Sequence, residues 1–274
     1  MDFQEGEILC IDKPLRWTSF DVVNKVRWQL CKHLGVKKLK VGHAGTLDPL
    51  ATGVMLVCTG RATKRIDELQ AQTKEYVATV QLGATTPSFD LEQPVDAVVP
   101  ATHVTREMVE QMLPRFLGRI EQVPPAYSAV KIDGDRAYDL ARKGRDIELK
   151  PKVLVIDEIE LMQYNEPREG SVTSETLPHG GASEEFIPRE GMRRKAFLTA
   201  PVDAPTEAYG PSFTVRIVCS KGTYIRALAR DFGEALSTGA HLTALRRTRV
   251  GDYRVEDCLT MDKFIGQLQN NTNI

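Results

Sequence analysis

Residues 42–55, the stretch that decides the fold, read Gly-His-Ala-Gly-Thr-Leu-Asp-Pro-Leu-Ala-Thr-Gly-Val-Met. The first part is rich in glycine, and Asp48 precedes a proline, which biases its backbone to an extended conformation, so we interpret this part as a loop. Residues 53–59 form an apolar run that predicts a buried strand. Such a loop can hold the Asp48 carboxylate on a rigid frame within reach of a substrate. An aspartate that only caps its own turn would show the same pattern, and for any single Asp-Pro this is the commoner case.

The segments on both sides of this loop show strand and helix periodicities in mixed order. Strands are predicted at residues 7–11, 53–59, 76–82, 153–162 and 213–219, and helices at residues 20–34, 106–117, 137–143 and 224–237. Some strands are near neighbours along the chain and others are separated by helices. This arrangement favours an α+β sheet domain over a regular βαβ array.

The composition places the chain among globular proteins. It has 274 residues, of which 42% are hydrophobic and 27% charged, which is enough to build a core and excludes disordered or disulfide-scaffold classes. The acidic start and the lack of a long apolar run argue against a signal peptide and a membrane span, so we expect a cytoplasmic protein. The five cysteines form no Cys-x-x-Cys pair, which predicts reduced thiols and argues against structural zinc.

The net charge of −1 hides an uneven distribution along the chain. Residues 1–65 hold 11 basic and 6 acidic residues, and residues 214–249 hold 7 basic and 2 acidic ones. Residues 163–212 hold 8 acids against 5 bases, so the rest of the chain carries +2. That segment also lacks apolar periodicity, and we interpret it as a flexible acidic and polar insertion.

Two basic segments are further candidates for a functional site. Residues 220–226 lead into a predicted helix, where Arg226 and Arg230 share a face near the helix N-terminus and could attract an anion. Residues 245–249 carry three arginines and no acid, which suits contacts to phosphates. Either segment could equally be a solvated surface.

Taken together, these strings resemble one enzyme family. Residues 42–55 resemble the catalytic motif of the TruB family of tRNA pseudouridine synthases. Five further strings follow in the family's order: Thr-Gly-Arg-Ala-Thr-Lys at 59–64, Lys-Glu-Tyr at 74–76, Pro-Pro-Ala-Tyr-Ser-Ala-Val-Lys at 124–131, Ser-Lys-Gly-Thr-Tyr-Ile-Arg at 220–226 and Leu-Arg-Arg at 245–247. The resemblance covers residues 7–160 and 213–258.

The resemblance implies the pseudouridine synthase fold, a central mixed and mostly antiparallel sheet flanked by helices with loop insertions. It also implies isomerisation of uridine 55 in the T loop of tRNA to pseudouridine, with no cofactor and no metal. In this family the residue matched by Asp48 is the catalytic carboxylate. Arg226 matches the arginine that pairs with it and keeps it ionised. Tyr76 matches the tyrosine that stacks on the target base and is a proposed proton acceptor.

Other matched residues are expected to bind the RNA. Tyr224 and Leu245 match residues that line the uracil pocket, and His43 matches the histidine that fills the space left by the flipped uridine. Lysines and arginines are the expected phosphate partners, at Lys37, Lys38, Lys40, Arg61, Lys64, Lys131, Arg246, Arg247 and Arg249. Residues 123–150 are expected to form a loop that grips the RNA.

We expect one catalytic domain, residues 1–162 plus 213–262, interrupted by the insertion and followed by a short tail at 263–274. Many family members continue into a small C-terminal RNA-binding domain, which this chain is expected to lack. We therefore expect a stand-alone monomer of the bacterial type that binds the T arm of tRNA without an obligate protein partner. The alternatives are a guide-RNA-dependent pseudouridine synthase and a non-catalytic RNA-binding protein on the same scaffold.

Overall fold

A computed structural model describes residues 2–128, 149–167 and 210–270, and for residues 131–132 and 135–136 it describes the backbone alone. The predicted helix at 137–143 and nearly all of the predicted insertion lie outside the described residues. Among the described helices, none is long and apolar enough to cross a membrane.

Strands and helices alternate irregularly along the chain. The strands are β1 (Ile8–Lys13), β2 (Val41–His43), β3 (Ala51–Thr59), β4 (Lys74–Leu82), β5 (Ala84–Thr85), β6 (Ala97–Val98), β7 (Gly118–Gln122), β8 (Lys131–Ile132), β9 (Asp135–Arg136), β10 (Lys152–Asn165), β11 (Ser212–Cys219), β12 (Ala240–Val250) and β13 (Tyr253–Arg254). The α-helices are α1 (Ser19–Leu34), α2 (Ile66–Ala71), α3 (Arg106–Met112), α4 (Ile225–Ala235) and α5 (Met261–Asn270). Short 3₁₀ turns cover Gly60–Arg65, Leu113–Phe116 and Val255–Asp257.

Within the described residues, nine strands form one sheet. Its main path runs β1-β3-β12-β4-β11-β10-β7, with β2 paired to β3 and β13 paired to β12. Strand β3 is antiparallel to β1 and β2 but parallel to β12, and β7 is antiparallel to β10. A mixed sheet of this kind with flanking helices confirms the predicted α+β class.

The predicted elements near the start of the chain are confirmed, because local signals define them. Helix α1 begins after Thr18, whose side chain accepts from the backbone of Asp21 while the Asp21 carboxylate accepts from the Thr18 backbone. This capping box satisfies two backbone donors at the helix start. The helix ends at Gly35, whose left-handed φ of 65° suits glycine.

The chain divides into two compact units. The first contains Met1–Val77, Val218–Lys221 and Ala244–Ile274. Its larger core lies between α1, β1, β3 and α5, with fully buried side chains such as Ile11, Val26 and Met55. Apolar residues at helical spacing on one face of α1 therefore bury against the sheet.

The second unit contains Ala78–Ile217 and Gly222–Thr243. Phe232 of α4 packs against Phe116, with ring centroids 4.7 Å apart and the rings nearly perpendicular, and against Phe213 at 6.1 Å. Gly233 sits where a Cβ would come within 2.7 Å of the Ala240 backbone, so only glycine fits this approach. These contacts fix α4 within its unit.

Two regions differ from the sequence expectations. Residues 245–249, interpreted as a surface cluster, belong to the 11-residue strand β12. The sequence did not predict this strand, because the three arginines interrupt its apolar alternation. The expected tail at 263–274 is helical as far as Asn270, since Met261, Phe264 and Leu268 recur at helical spacing and are buried.

The expectation of five reduced cysteines is wrong for one pair. Cys10 and Cys258 form a disulfide, with Cα atoms 4.6 Å apart. The pairing follows from a backbone hydrogen bond of 2.9 Å, in which the Leu259 amide donates to the Cys10 carbonyl and lays the two segments side by side. Cys31, Cys58 and Cys219 form no disulfide with another described cysteine.

Candidate active site

The loop at residues 44–50 connects β2 to β3 in the first unit and carries Asp48, which is half-buried. Its backbone is fixed from several sides. Ser19 Oγ donates to the Leu47 carbonyl and accepts from the Leu47 amide, both at 2.9 Å. The Arg16 amide donates to the Pro49 carbonyl at 2.8 Å. These hydrogen bonds hold the backbone of a loop that has no regular secondary structure.

Arg247 supports the same loop from strand β12. Its side chain is 1% exposed, and its guanidinium donates to the carbonyls of Val54 at 2.7 Å, Gly45 at 3.2 Å and Thr46 at 3.4 Å. Because the group is buried and three of its N–H groups donate to backbone carbonyls, the structure gives no support to the predicted contact between Arg247 and an RNA phosphate. It is a positioning residue for the loop.

Gly53 allows β12 to lie this close. It pairs with Arg247 in the parallel ladder and has a φ of 104°, which residues with a side chain rarely adopt. A Cβ at this position would lie 2.1 Å from the Arg247 carbonyl oxygen. Gly53 of the 42–55 motif is thus required, because β12 lies so close to β3.

Lys13 is a second buried cation beside the loop. Its Nζ donates to the carbonyls of Trp17 at 2.5 Å, Pro14 at 2.9 Å and Pro49 at 3.3 Å. Burial lowers the pKa of Lys13 to about 8, and the nearby Asp48 carboxylate opposes part of this change. The ammonium therefore both fixes the loop backbone and attracts the charge of Asp48.

Tyr76, on strand β4, is buried in the same unit and interacts with Arg247 and Asp48. Burial raises the pKa of its phenol, so the group is neutral at neutral pH. Two residues earlier on the same strand, Lys74 Nζ donates to the carbonyls of Gln70 and Gln72. Burial, reinforced by the charge of Arg247, lowers the pKa of Lys74 to about 8.

His43 and Leu245 lie at the two ends of the loop. His43 closes strand β2, and its Nδ1 is buried without a hydrogen-bond partner among the described residues. Burial and the charge of Arg247 lower its pKa, so the imidazole is neutral at pH 7. Leu245 pairs with Ala51, the first residue after the loop, and is half-buried. These positions agree with roles next to Asp48, which remain predictions.

The other basic candidates of the first unit lie nearer the surface. Arg246 donates two hydrogen bonds to the Asp12 carboxylate, at 2.8 and 3.2 Å, and stays 42% exposed. Arg249 lies 3.6 Å from Glu75. Arg246 and Arg249 thus meet acids from other strands, whereas residues 245–249 contain no acid. Lys64 lies exposed on the 3₁₀ turn.

In the second unit, Arg226 is buried and lies beside a carboxylate. Its side chain is 4% exposed and donates to the carbonyls of Tyr127 at 2.8 Å and Ser88 at 3.1 Å, and its Nε lies 3.7 Å from the Asp90 carboxylate. The expected role of this helix face as an anion site stays a prediction. The guanidinium fixes the backbone on both sides of it.

Tyr224 precedes helix α4 and is held by a buried glutamine. Its amide donates to Gln122 Oε1 at 2.9 Å and its carbonyl accepts from Gln122 Nε2 at 3.1 Å. Gln122 and Asp90 were not anticipated. A glutamine at the end of a strand and an aspartate in a turn carry no signal of their own in the sequence.

The expected phosphate partner Lys131 is described by its backbone alone, in the two-stranded pair of β8 and β9. Among the residues that carry described side chains, no cluster of three or more His, Cys, Asp or Glu side chains could hold a metal ion. The structure thus offers Asp48, Tyr76 and two buried cations in one unit, and Arg226 with Tyr224 in the other.

Comparisons with known proteins identify the family. Residues 32–177 match the TruB family pseudouridylate synthase N-terminal domain, and residues 226–273 match the tRNA pseudouridylate synthase B C-terminal domain. A protein of Phocaeicola vulgatus named tRNA pseudouridine synthase B is 58% identical to this chain, and the match covers 96% of this chain and 94% of that protein. A protein of Parabacteroides distasonis with the same name is 52% identical, and the match covers 99% of this chain and 97% of that protein.

A more distant relative of the same name, from Thermus thermophilus, is 42% identical over 93% of this chain and 76% of its own. Among solved structures, a chain of a Cbf5-Nop10-Gar1 complex is 26% identical with a TM-score of 0.60, covering 96% of this chain and 54% of that chain. The chain described here belongs to the TruB family of pseudouridylate synthases.

Proposed function

We propose that this protein isomerises uridine 55 in the T loop of tRNA to pseudouridine and that Asp48 is its catalytic carboxylate. The observation that carries the proposal is the fixation of residues 44–50 by Ser19, Lys13 and Arg247, which holds one carboxylate in place beside a buried tyrosine. The relatives that match nearly the whole chain are named for tRNA, which favours tRNA over a guide-dependent substrate.

The reaction exchanges one bond of the nucleotide for another. The bond from C1′ of the ribose to N1 of uracil breaks, the base turns, and C5 bonds to C1′. C5 then loses its proton and N1 gains one, so no oxidant or reductant is needed. The Asp48 carboxylate acts on the sugar, as a nucleophile at C1′ or as a base, and both routes need its ionised form. The Lys13 ammonium favours that form by attraction.

Tyr76 is proposed to stack on the uracil while the base turns. Because burial raises its pKa, the phenol is neutral and can take the C5 proton only while it passes its own hydroxyl proton to another group. Tyr224, Leu245 and His43 complete the proposed set for the flipped nucleotide, and Arg226 keeps its proposed place in the catalytic site.

The exposed cations are proposed to bind the phosphates of the T arm. Extruding a base from its stack costs a few kcal/mol, which contacts to phosphates and bases must offset. Lys64 and Arg246 remain proposed partners, as does Lys131. Arg247 is buried, and its proposed role is to hold the loop at residues 44–50. We expect the protein to act as a monomer in the cytoplasm, with tRNA as its partner and with no metal or protein subunit required.

The proposal is tested with purified protein and an unmodified tRNA transcript, without guide RNA and with a chelator present. We expect pseudouridine at one T-loop uridine when every uridine is mapped. Asp48→Asn keeps the size of the side chain but removes the charge, so its single-turnover rate should fall roughly a thousandfold or more.

Asp67→Asn is the matched control, since Asp67 is an exposed carboxylate on α2. We expect it to leave the rate unchanged and both variants to bind the transcript within about twofold of the wild type, because neither carboxylate attracts phosphate. Full activity of Asp48→Asn would contradict the mechanism. Absence of wild-type activity without partners would contradict the proposed function.

A further inference from the structure

The outer face of helix α1 carries an exposed aromatic side chain between two lysines. Trp28 is 57% exposed, and the Nζ atoms of Lys25 and Lys32 each lie 5.5 Å from its ring centroid. The three residues are spaced three and four apart, so they share one face of the helix. A tryptophan is seldom left this open to water on a helix whose other face is fully packed.

A cavity of about 430 Å³ lies beside the N-terminal half of helix α1. It is lined by Arg16, Trp17, Asp21, Asn24 and Lys25. Asp21, Asn24 and Lys25 lie one to two turns before Trp28 on the same side of α1, so the cavity and the ring share one side of the helix. We call these residues together with Trp28 and Lys32 the Trp28 face.

The charge of the Trp28 face and of the chain that follows it is mostly positive. Between Val22 and Leu47 the chain has no aspartate or glutamate, and its basic residues are Lys25, Arg27, Lys32, Lys37, Lys38 and Lys40. The acid that does line the cavity, Asp21, accepts from the amide and the hydroxyl of Thr18 in the helix cap. The surface therefore attracts a polyanion.

Helix α1 is fixed to the loop that holds Asp48. At the start of the helix, Ser19 forms hydrogen bonds with the backbone of Leu47. Near the middle of the helix, Arg27 donates to the Val41 carbonyl at 3.0 Å. Trp28 lies nine residues after Ser19, about 14 Å along the helix axis. An RNA strand that reaches Asp48 can thus extend along the same rigid unit to Trp28.

We propose that the Trp28 face is a second RNA-binding site, on which a base of the substrate tRNA stacks against the Trp28 indole while Lys25 and Lys32 contact the phosphates on either side. Exposed aromatic rings between lysines are how proteins hold unpaired bases with little sequence preference. Stacking displaces an ammonium from the ring, and phosphate then becomes its partner. The inference rests on the proposed tRNA substrate.

The test measures dissociation constants for unmodified tRNA and for the isolated T-arm hairpin. Trp28→Ala should weaken tRNA binding about five- to thirtyfold, because one stacked base is lost. Trp28→Phe keeps an aromatic face and should bind within about threefold of the wild type. Met162→Ala removes an equally exposed apolar side chain, 55% exposed on β10, and should change nothing.

Two further readouts separate stacking from a structural effect. Trp28 is one of two tryptophans in the chain, so RNA should quench the intrinsic fluorescence of the wild type more than that of Trp28→Phe. The double variant Lys25→Gln/Lys32→Gln should lower the slope of log Kd against log salt by about 1.4 to 1.8, for two lost phosphate contacts.

Wild-type affinity of Trp28→Ala for both RNAs would overturn the inference, and it is the result expected if this face binds a protein. A Trp28→Phe variant as weak as Trp28→Ala would overturn the stacking. Binding is measured independently of catalysis, so a wild type that binds RNA but forms no pseudouridine contradicts the proposed function alone. Weakening with tRNA but not with the hairpin would support the site and assign it to RNA outside the T arm.

Discussion

Two regions of the first unit use lysine and arginine in opposite ways. Around residues 44–50, Lys13 and Arg247 are buried and give their hydrogen bonds to backbone carbonyls. In the loop after α1, Lys37 and Lys38 are exposed. The first pair shapes the loop that holds Asp48, and the second is available to phosphate. We propose that burial, rather than charge, separates the cations that hold the loop at residues 44–50, the catalytic frame, from the cations that bind RNA.

Neighbouring arginines give the sharpest test of this difference. Arg247→Met leaves the carbonyls of Gly45, Thr46 and Val54 without their donor, so we expect the free energy of unfolding to fall by about 3 to 5 kcal/mol. Arg246→Met removes an exposed pair with Asp12 and should cost less than about 1 kcal/mol. Urea unfolding of both variants and the wild type measures the difference.

Equal losses for the two variants would contradict the assignment of Arg247 to the frame. A loss confined to Arg246→Met would reverse it.

The buried lysines predict an unusual dependence of stability on pH. Burial lowers the pKa of Lys13 and of Lys74 from 10.5 to about 8, so between pH 8 and 10.5 the unfolded chain holds protons that the folded chain has released. The free energy of unfolding should therefore rise with pH in this window, by up to about 1 kcal/mol per pH unit for each lysine. Urea unfolding at a series of pH values measures this slope.

Lys13→Met and Lys74→Met should each remove about half of that rise. Lys263→Met, at an exposed lysine on α5, is the control and should leave the slope as it is in the wild type. An unchanged slope in both buried-lysine variants would show that these ammonium groups titrate normally.

Local patterns made much of the fold predictable. The Thr18 cap, the apolar spacing of α1 and Gly35 define that helix within 20 residues of sequence, and β4 follows from its alternation. Strand β12 was hidden, because Arg247 is a buried arginine in an apolar position. Its partners lie about 200 residues away, and no local pattern contains them.

The sequence predicted candidate residues for the site, but not the residues that hold them in place. The 42–55 motif singles out Asp48 and His43, whereas the roles of Lys13 and Gln122 depend on carbonyls that only the folded chain brings to them. The same reason explains the Cys10–Cys258 disulfide, whose cysteines are 248 residues apart. The sequence predicts which groups carry the chemistry, and tertiary contacts show what holds those groups in place.

One measurement tests most directly whether burial separates the two kinds of cation. Single-turnover rates are followed against enzyme concentration for Arg247→Lys, which keeps the charge but loses the guanidinium fork, and for Lys37→Gln/Lys38→Gln, which removes exposed charge. We predict that Arg247→Lys lowers the plateau rate about tenfold or more, because a small displacement of a reacting group is costly, with half-saturation nearly unchanged.

The lysine variant should instead raise the half-saturating concentration about three- to tenfold, with a far smaller effect on the plateau. The reverse pattern, or the same change in both variants, would contradict the account.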